Sequence, residues 1–320
     1  MKITIHLCAI LIFAAAVSSA QTAGGNSSGV IKVEAKPAKG FAYPYYLYVP
    51  QALRGPLRAE KKHWVLVVPH TAGKTSDDLS VHEEDVKRKI MNNAQIADRA
   101  GAVLLTPVFP RPRTDWKIYT HALDRDSMLT RKKEFARFDL QLLAMIDDVR
   151  ARFAGEKIKL NRRVLMLGFS ASGMFVNRFT FLHPTRVRAA VVGSPGGWAI
   201  APAASYRERP LRYPIGTSDF RLVSGRKLDL KNLRKVPLFM FLGGEDDNDS
   251  VTYRDGYEKE DEELIFELFG RTPVERWGIS EKLYRDSKLS AEFRLYPNVK
   301  HAVTKEMMED ILAFFAKHAE

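Results

Sequence analysis

Four short, almost wholly apolar runs constrain this chain more than anything else in it: HWVLVV at 63–68, AVLLT at 102–106, RVLML at 163–167 and LFMFL at 238–242. A strand that alternates apolar and polar residues has one wet face. A continuous apolar run has none and must be covered on both sides, as in a parallel sheet. The segments between these runs supply the covers. Ser80-Val81-His82-Glu83 has capping-box spacing and predicts a helix from there to about Arg99, stopped by Gly101. Phe138, Leu142, Met145, Ile146, Val149 and Phe153 recur at helical spacing up to Gly155. Further helices are expected after Ser170, around Glu260–Leu268, and from about Thr304, where Met308, Ile311, Leu312 and Phe315 share a face. Val30–Glu34, Tyr43–Val49, Ala189–Val192 and Phe293–Tyr296 complete the strands. The expected class is α/β, with a mainly parallel central sheet and helices on both faces. Between Gly196 and Lys235 the periodicity fails among Pro, Gly and Arg residues, so 196–235 reads as an insertion over one end of the sheet.

Residues 1–20, MKITIHLCAILIFAAAVSSA, have a basic start, an apolar run and small residues (Ser18, Ala20) before a cleavage point after Ala20. That is the pattern of a secretory signal peptide, and it predicts a secreted or periplasmic protein. The apolar run, about 15 residues, is short of the roughly 20 needed to span a bilayer, so no stable membrane anchor is expected. Residues 21–29 form a Gly/Ser-rich lead-in, leaving 30–320 as a single domain. Cys8 is the only cysteine and lies in the signal segment without a small residue before it, so neither lipidation nor a disulfide is expected. The formal charge is +12, yet Lys and Arg are interleaved with acids, as in RKKEFARFD at 131–139. That interleaving argues for solvated faces rather than a nucleic-acid surface.

The chemistry concentrates at LMLGFSASGMF, 165–175. A strand that turns sharply into a helix holds the turning residue in a strained conformation and needs small neighbours two positions away. Gly168 and Ser172 flank Ser170 in that way, whereas Ser172 at the apex would put Met174 in the crowded position. The turn would aim the Ala171 N–H at whatever lies over Ser170. A phosphate loop is the alternative, but no Gly-x-Gly-x-x-Gly and no following Lys are present. Serine needs a base, and the base needs an orienting carboxylate. After LFMFL comes Gly243-Gly244-Glu245-Asp246-Asp247, where Asp247 is the expected acid and Asp246 the alternative. Val251 and Tyr253 do not fit the oxygen ligands of a calcium loop, and no metal site is expected. Of the histidines after Ser170, His183 precedes the acid loop and His318 is at the chain end; His301 stands after a strand and before the last helix. A second oxyanion donor is expected from Thr71 or Ala72 in PHTAG, 69–73, with His70 shaping that loop or serving as a base. Trp116, Tyr119 and His121 in the long loop 109–126, with Trp198 after the next strand, are candidate substrate contacts; Arg111 or Arg113 could meet an acidic substituent. Packing roles serve these aromatics equally well.

The Ser170–Asp247–His301 order, YYLYVP before the sheet core and PHTAG as an oxyanion loop resemble the α/β-hydrolase superfamily, most closely secreted bacterial esterases of the feruloyl-esterase and polyhydroxyalkanoate-depolymerase type. Ser172 stands where the G-x-S-x-G motif has its second glycine, and His70-Thr71 where such esterases often have His-Gly. The resemblance implies an α/β-hydrolase fold and a cofactor-free serine hydrolase acting on a small-molecule or polymer-linked carboxylic ester. A peptidase or acyltransferase could use the same groups, and a non-catalytic polysaccharide-binding protein could keep the fold.

Overall fold

The structure, a computed structural model, describes residues 29–54, 62–71 and 73–319. The 1–20 signal segment, most of the 21–29 lead-in and Ala72 lie outside the described residues.

The chain runs β1 (Val30–Val33), β2 (Tyr45–Tyr48), β3 (Trp64–Val67), α1 (Leu79–Ala100), β4 (Ala102–Pro107), α2 (Arg125–Leu129), α3 (Phe138–Gly155), β5 (Val164–Phe169), α4 (Ala171–Leu182) and β6 (Val187–Gly193). It continues through β7 (Ser205–Tyr206), β8 (Arg209–Pro210), α5 (Phe220–Ser224), α6 (Leu230–Leu233), β9 (Leu238–Gly243), α7 (Lys259–Leu268), α8 (Pro273–Asp286), β10 (Ala291–Tyr296) and α9 (Lys305–His318). Eight strands form one sheet in the order β1-β2-β4-β3-β5-β6-β9-β10. The β1–β2 and β2–β4 pairs are antiparallel and the rest are parallel.

The apolar runs behave as a two-faced sheet requires. Val65, Val103, Val164, Met166, Val192 and Met240 point to one face, where α3, α4 and α8 bring Phe138, Leu142, Phe175, Phe179 and Tyr284. Their neighbours Leu66, Leu104, Leu165, Val191 and Phe239 point to the other, against Val86 and Ile90 of α1 and Ile311 and Phe315 of α9. Burying one such side chain contributes about 1.5–3 kcal/mol, so the alternation fixes strand register as well as fold.

The start of α1 differs from the capping box expected at Ser80. Asp78 caps the helix by accepting the Ser80 N–H. Glu83 is used elsewhere: it accepts the Tyr46 hydroxyl at 2.8 Å and pairs with Lys32, tying α1 to the antiparallel edge. The 196–235 segment carries the β7–β8 hairpin, α5 and α6. Its Trp198, Ala201, Leu211 and Ile215 join Met174 of α4 and Tyr257, Ile265 and Phe269 around α7 in a third core. That segment is therefore packed structure continuous with the domain. Among the described residues no helix is long and apolar enough to cross a membrane.

Candidate active site

At the end of β5 the backbone turns on Ser170, which has φ 62° and ψ −131°. Such a conformation is almost confined to glycine and costs a side chain on the order of 1–3 kcal/mol. The close approach of α4 to the strand forces it. A Cβ on Gly168 would lie 2.1 Å from the Ser172 carbonyl oxygen, and one on Gly173 would lie 2.7 Å from that of Gly193. The small residues of 168–173 thus make room for the helix, and Ser172 adds a clasp: its hydroxyl donates to Phe169 O at 2.8 Å and accepts the Phe169 N–H at 3.1 Å. Ala171 opens α4, so the helix offers its N–H no acceptor of its own. Gly196 lies across from the serine, where a Cβ would sit 3.8 Å from Ser170 Oγ, an ordinary contact distance.

The acid and the histidine meet because the loops after β9 and β10 are laced together. The Gly244 N–H donates to Tyr296 O at 2.7 Å and the Glu245 N–H to Val299 O at 2.9 Å. This lacing leaves Glu245 and Asp247 facing solvent and turns Asp246, only 3% exposed, inward. His301 Nδ1 lies 2.9 Å from Asp246 Oδ2 and 3.1 Å from Oδ1. The structure thus brings Asp246, the alternative, to His301 and leaves Asp247, the acid expected from the sequence, on the opposite, solvent side of the loop. Burial would raise the Asp246 carboxyl, but hydrogen bonds from His301 and the Asn248 N–H outweigh it and hold it below the usual range. The His301 ring packs on Phe169, the residue before Ser170, at 4.7 Å between centroids, which sets the Asp246–His301 pair beside the turn. The sequence reading missed Phe169. Its only signal was its position at the end of β5.

On the oxyanion side, Thr71 is docked on the elbow: its Oγ1 accepts the Ser172 N–H at 3.1 Å. Ala72, the other candidate donor, lies outside the described residues. Behind the loop is a cluster of three histidines that no local pattern in the chain announces. His70, His82 and His121, from three separate segments, are all buried, with ring centroids 4.4–6.3 Å apart. Nε2 of His70 and of His121 lie 2.9 Å and 2.6 Å from the same Phe109 carbonyl. Burial holds His70 down to about 3 and pushes His82 and His121 below the ordinary histidine value. These are neutral, structural rings: His70 shapes the loop and does not serve as a base, and His121 is corrected from a candidate substrate contact to a support of the same loop.

The other aromatics divide by exposure. Trp116 is 47% exposed and free to meet a ligand. Tyr119 is buried beneath the Arg111 guanidinium, 4.3 Å from its ring. Trp198 is buried, donates from Nε1 to Ile215 O at 2.8 Å and stacks on Phe269 at 4.1 Å. Tyr119 and Trp198 are thereby corrected from substrate contacts to packing residues. Among the described residues no group of three or more His, Cys, Asp or Glu is arranged to hold a metal ion.

No protein-family model and no curated protein sequence matches the chain. Solved structures do match. A poly(aspartic acid) hydrolase from Sphingomonas sp. KT-1 superposes with a TM-score of 0.58 at 20% identity, over 90% of this chain and 98% of that one. A poly(3-hydroxybutyrate) depolymerase from Bordetella parapertussis gives 0.55 at 16% identity, over 91% and 89%. An S-formylglutathione hydrolase from Agrobacterium tumefaciens gives 0.52 at 14% identity, over 92% and 98%. Each match covers 90–92% of this chain and, with the mostly parallel eight-stranded sheet, shows that the chain has the α/β-hydrolase fold.

Proposed function

We propose that the protein is a serine hydrolase of carboxylic esters, working through an acyl-enzyme, with Ser170 as nucleophile, His301 as base and Asp246 as orienting acid. The observation that carries this reading is the strained apex at Ser170 with His301, bonded to the buried Asp246, packed beside it. An ionised carboxylate on Nδ1 leaves Nε2 of His301 as the acceptor for a proton. In the proposed cycle Ser170 Oγ attacks the ester carbonyl carbon as its proton passes to His301 Nε2. The tetrahedral oxyanion is met by the Ala171 N–H and by an N–H of Thr71 or Ala72. Collapse expels the alcohol, which takes the proton from His301. Water then repeats the sequence on the acyl group, releasing the acid and restoring Ser170. Each oxyanion donor contributes on the order of 10²–10³ in rate, comparable to the proton transfer.

Two of the three structural neighbours are named for polymers and one for a small thiol ester. A substrate screen should therefore hold polymer-linked and soluble esters together. The signal-like residues 1–20 support action outside the cytoplasm, after cleavage near Ala20. The test is labelling of the purified protein with a fluorophosphonate and mapping of the modified peptide. Label on Ser170, absent from Ser170→Ala, is the expected result. A folded protein that takes no label, and binds polysaccharide instead, would overturn the reading.

A further inference from the structure

Arg111 reaches from the loop after β4 to both sides of the candidate site. Its Nη1 donates to the Gly73 carbonyl at 3.2 Å, and its Nη2 donates to Asp255 Oδ2 at 2.5 Å. Gly73 belongs to the segment that must present the second oxyanion donor. Asp255 belongs to the 250–256 segment, whose Ser250 N–H donates to Gly196 O, beside Ser170. The guanidinium is itself fixed. Tyr119 lies under it at 4.3 Å, and the arginine and aspartate side chains are only 15% and 11% exposed. Its backbone is pinned as well, since the Arg111 N–H reaches His82 Nε2 at 3.2 Å and Arg111 O accepts the Ser76 N–H at 2.9 Å.

A Cβ on Gly73 would touch nothing within 4 Å, so that side of the segment is open. Thr71 Oγ1 is bonded to the Ser172 N–H and Gly73 O to Arg111. A catalytic donor held between two hydrogen-bonded points loses its aim when one is cut, and about 1 Å of misplacement can cost on the order of 100-fold.

We infer that Arg111 is a positioning residue for the oxyanion loop, clamping Gly73 against Asp255, and not a contact for an acidic substrate. The inference rests on the serine-hydrolase reading for its effect on rate, but the clamp itself can be read without turnover. Hydrogen exchange in peptides covering 68–76 and steady-state hydrolysis of an aryl acetate should be measured for the full-length protein and for Arg111→Met, Arg111→Lys and Asp255→Asn. Exchange over 68–76 should quicken at least tenfold in Arg111→Met, less in Asp255→Asn, and be partly restored in Arg111→Lys. In the same order kcat should fall about 10–100-fold with KM within twofold, and the acid limb of the pH profile should stay in place. The double variant should lose no more than Arg111→Met alone. Unchanged exchange in both Arg111→Met and Asp255→Asn would overturn the clamp. So would a rise in KM confined to carboxylate-bearing esters with kcat retained, because Arg111 would then be binding substrate. Faster exchange in a protein that hydrolyses nothing would keep the clamp and sink the hydrolase reading.

Discussion

Asp246 and His301 are 55 residues apart in sequence and 2.9 Å apart in space, joined because backbone hydrogen bonds lace the two loops that carry them. Asp247, the next residue, faces water. The consequence is a sharp asymmetry between adjacent aspartates. Asp246→Asn should lower kcat by roughly 10³–10⁴, since an amide no longer selects the productive imidazole tautomer. Asp247→Asn should stay within about twofold. Steady-state kinetics on one soluble ester checks both, and equal losses would remove the assignment of the acid.

Ser170 is held where a side chain is unwelcome, at φ 62° and ψ −131°. Ser170→Gly should therefore be more stable than Ser170→Ala by about 1–2 kcal/mol, because the alanine keeps the strain and the glycine relieves it. Glycine's larger unfolded-state entropy works against this and makes the outcome decisive. Urea unfolding of the two inactive variants measures it. Alanine equal to or better than glycine would mean that the turn carries no strain.

The buried histidines make stability depend on acid. His70, His82 and His121 fold with their pKa values below the unfolded histidine value, and so does His183, all chiefly through burial. Arg111 and Lys89 face the cluster with like charge, and Asp78 faces His82 from the α1 cap. A group whose folded pKa is depressed contributes stability that is complete above its unfolded value and lost as pH falls toward the folded one. The loss here begins near pH 6.5 and continues to about 3 for His70, at up to about 1.4 kcal/mol per pH unit per group. Asp124, raised by burial to about 7, opposes this with one proton, but the histidines outnumber it. Asp139 and Asp148 do not enter until lower pH. Burial would raise both, but Arg137 and His183 on the first, and Lys36, Lys39 and Tyr45 on the second, bring each to about 2, so their share is lost below about 3.8. Melting temperatures from pH 7 to 4 should fall steadily, and His121→Asn should flatten the slope. An unchanged slope would mean that the cluster is not what titrates.

The strands and major helices were legible because burial on both faces leaves a continuous apolar run and burial on one helix face leaves a 3.6-residue period. The elbow was legible because close approach of α4 to β5 and β6 leaves no room for a side chain at 168 or 173. The helix at Pro273–Asp286 was passed over although Thr272 and Glu275 form a full capping box with Pro at its first turn. Its apolar residues are interrupted by Glu, Arg and Lys, and one of these, Arg276, is itself buried and pairs with Asp249. The choice between Asp246 and Asp247 could not be read from composition, because it depends on Glu245 bonding to Val299 in the loop after β10. The histidine cluster was hidden for the same reason: His70, His82 and His121 belong to three segments that share no local pattern.

The aromatics first read as substrate contacts separate cleanly by what removing each would do. Trp116 is 47% exposed, with only Lys117 set over its ring at 5.9 Å. Trp116→Ala should therefore change stability by no more than about 0.5 kcal/mol. If a substrate ring or sugar docks on this side of the site, the same variant should raise KM severalfold with kcat kept. Trp198 fills the core between the insertion and α7, stacked on Phe269 and bonded to Ile215 O. Trp198→Ala should cost about 3–5 kcal/mol through the cavity and the orphaned carbonyl, whatever the substrate. Denaturant midpoints for both variants, alongside KM for a soluble aryl ester and a polymer-linked one, separate the roles. A large stability loss at Trp116, or none at Trp198, would reverse them.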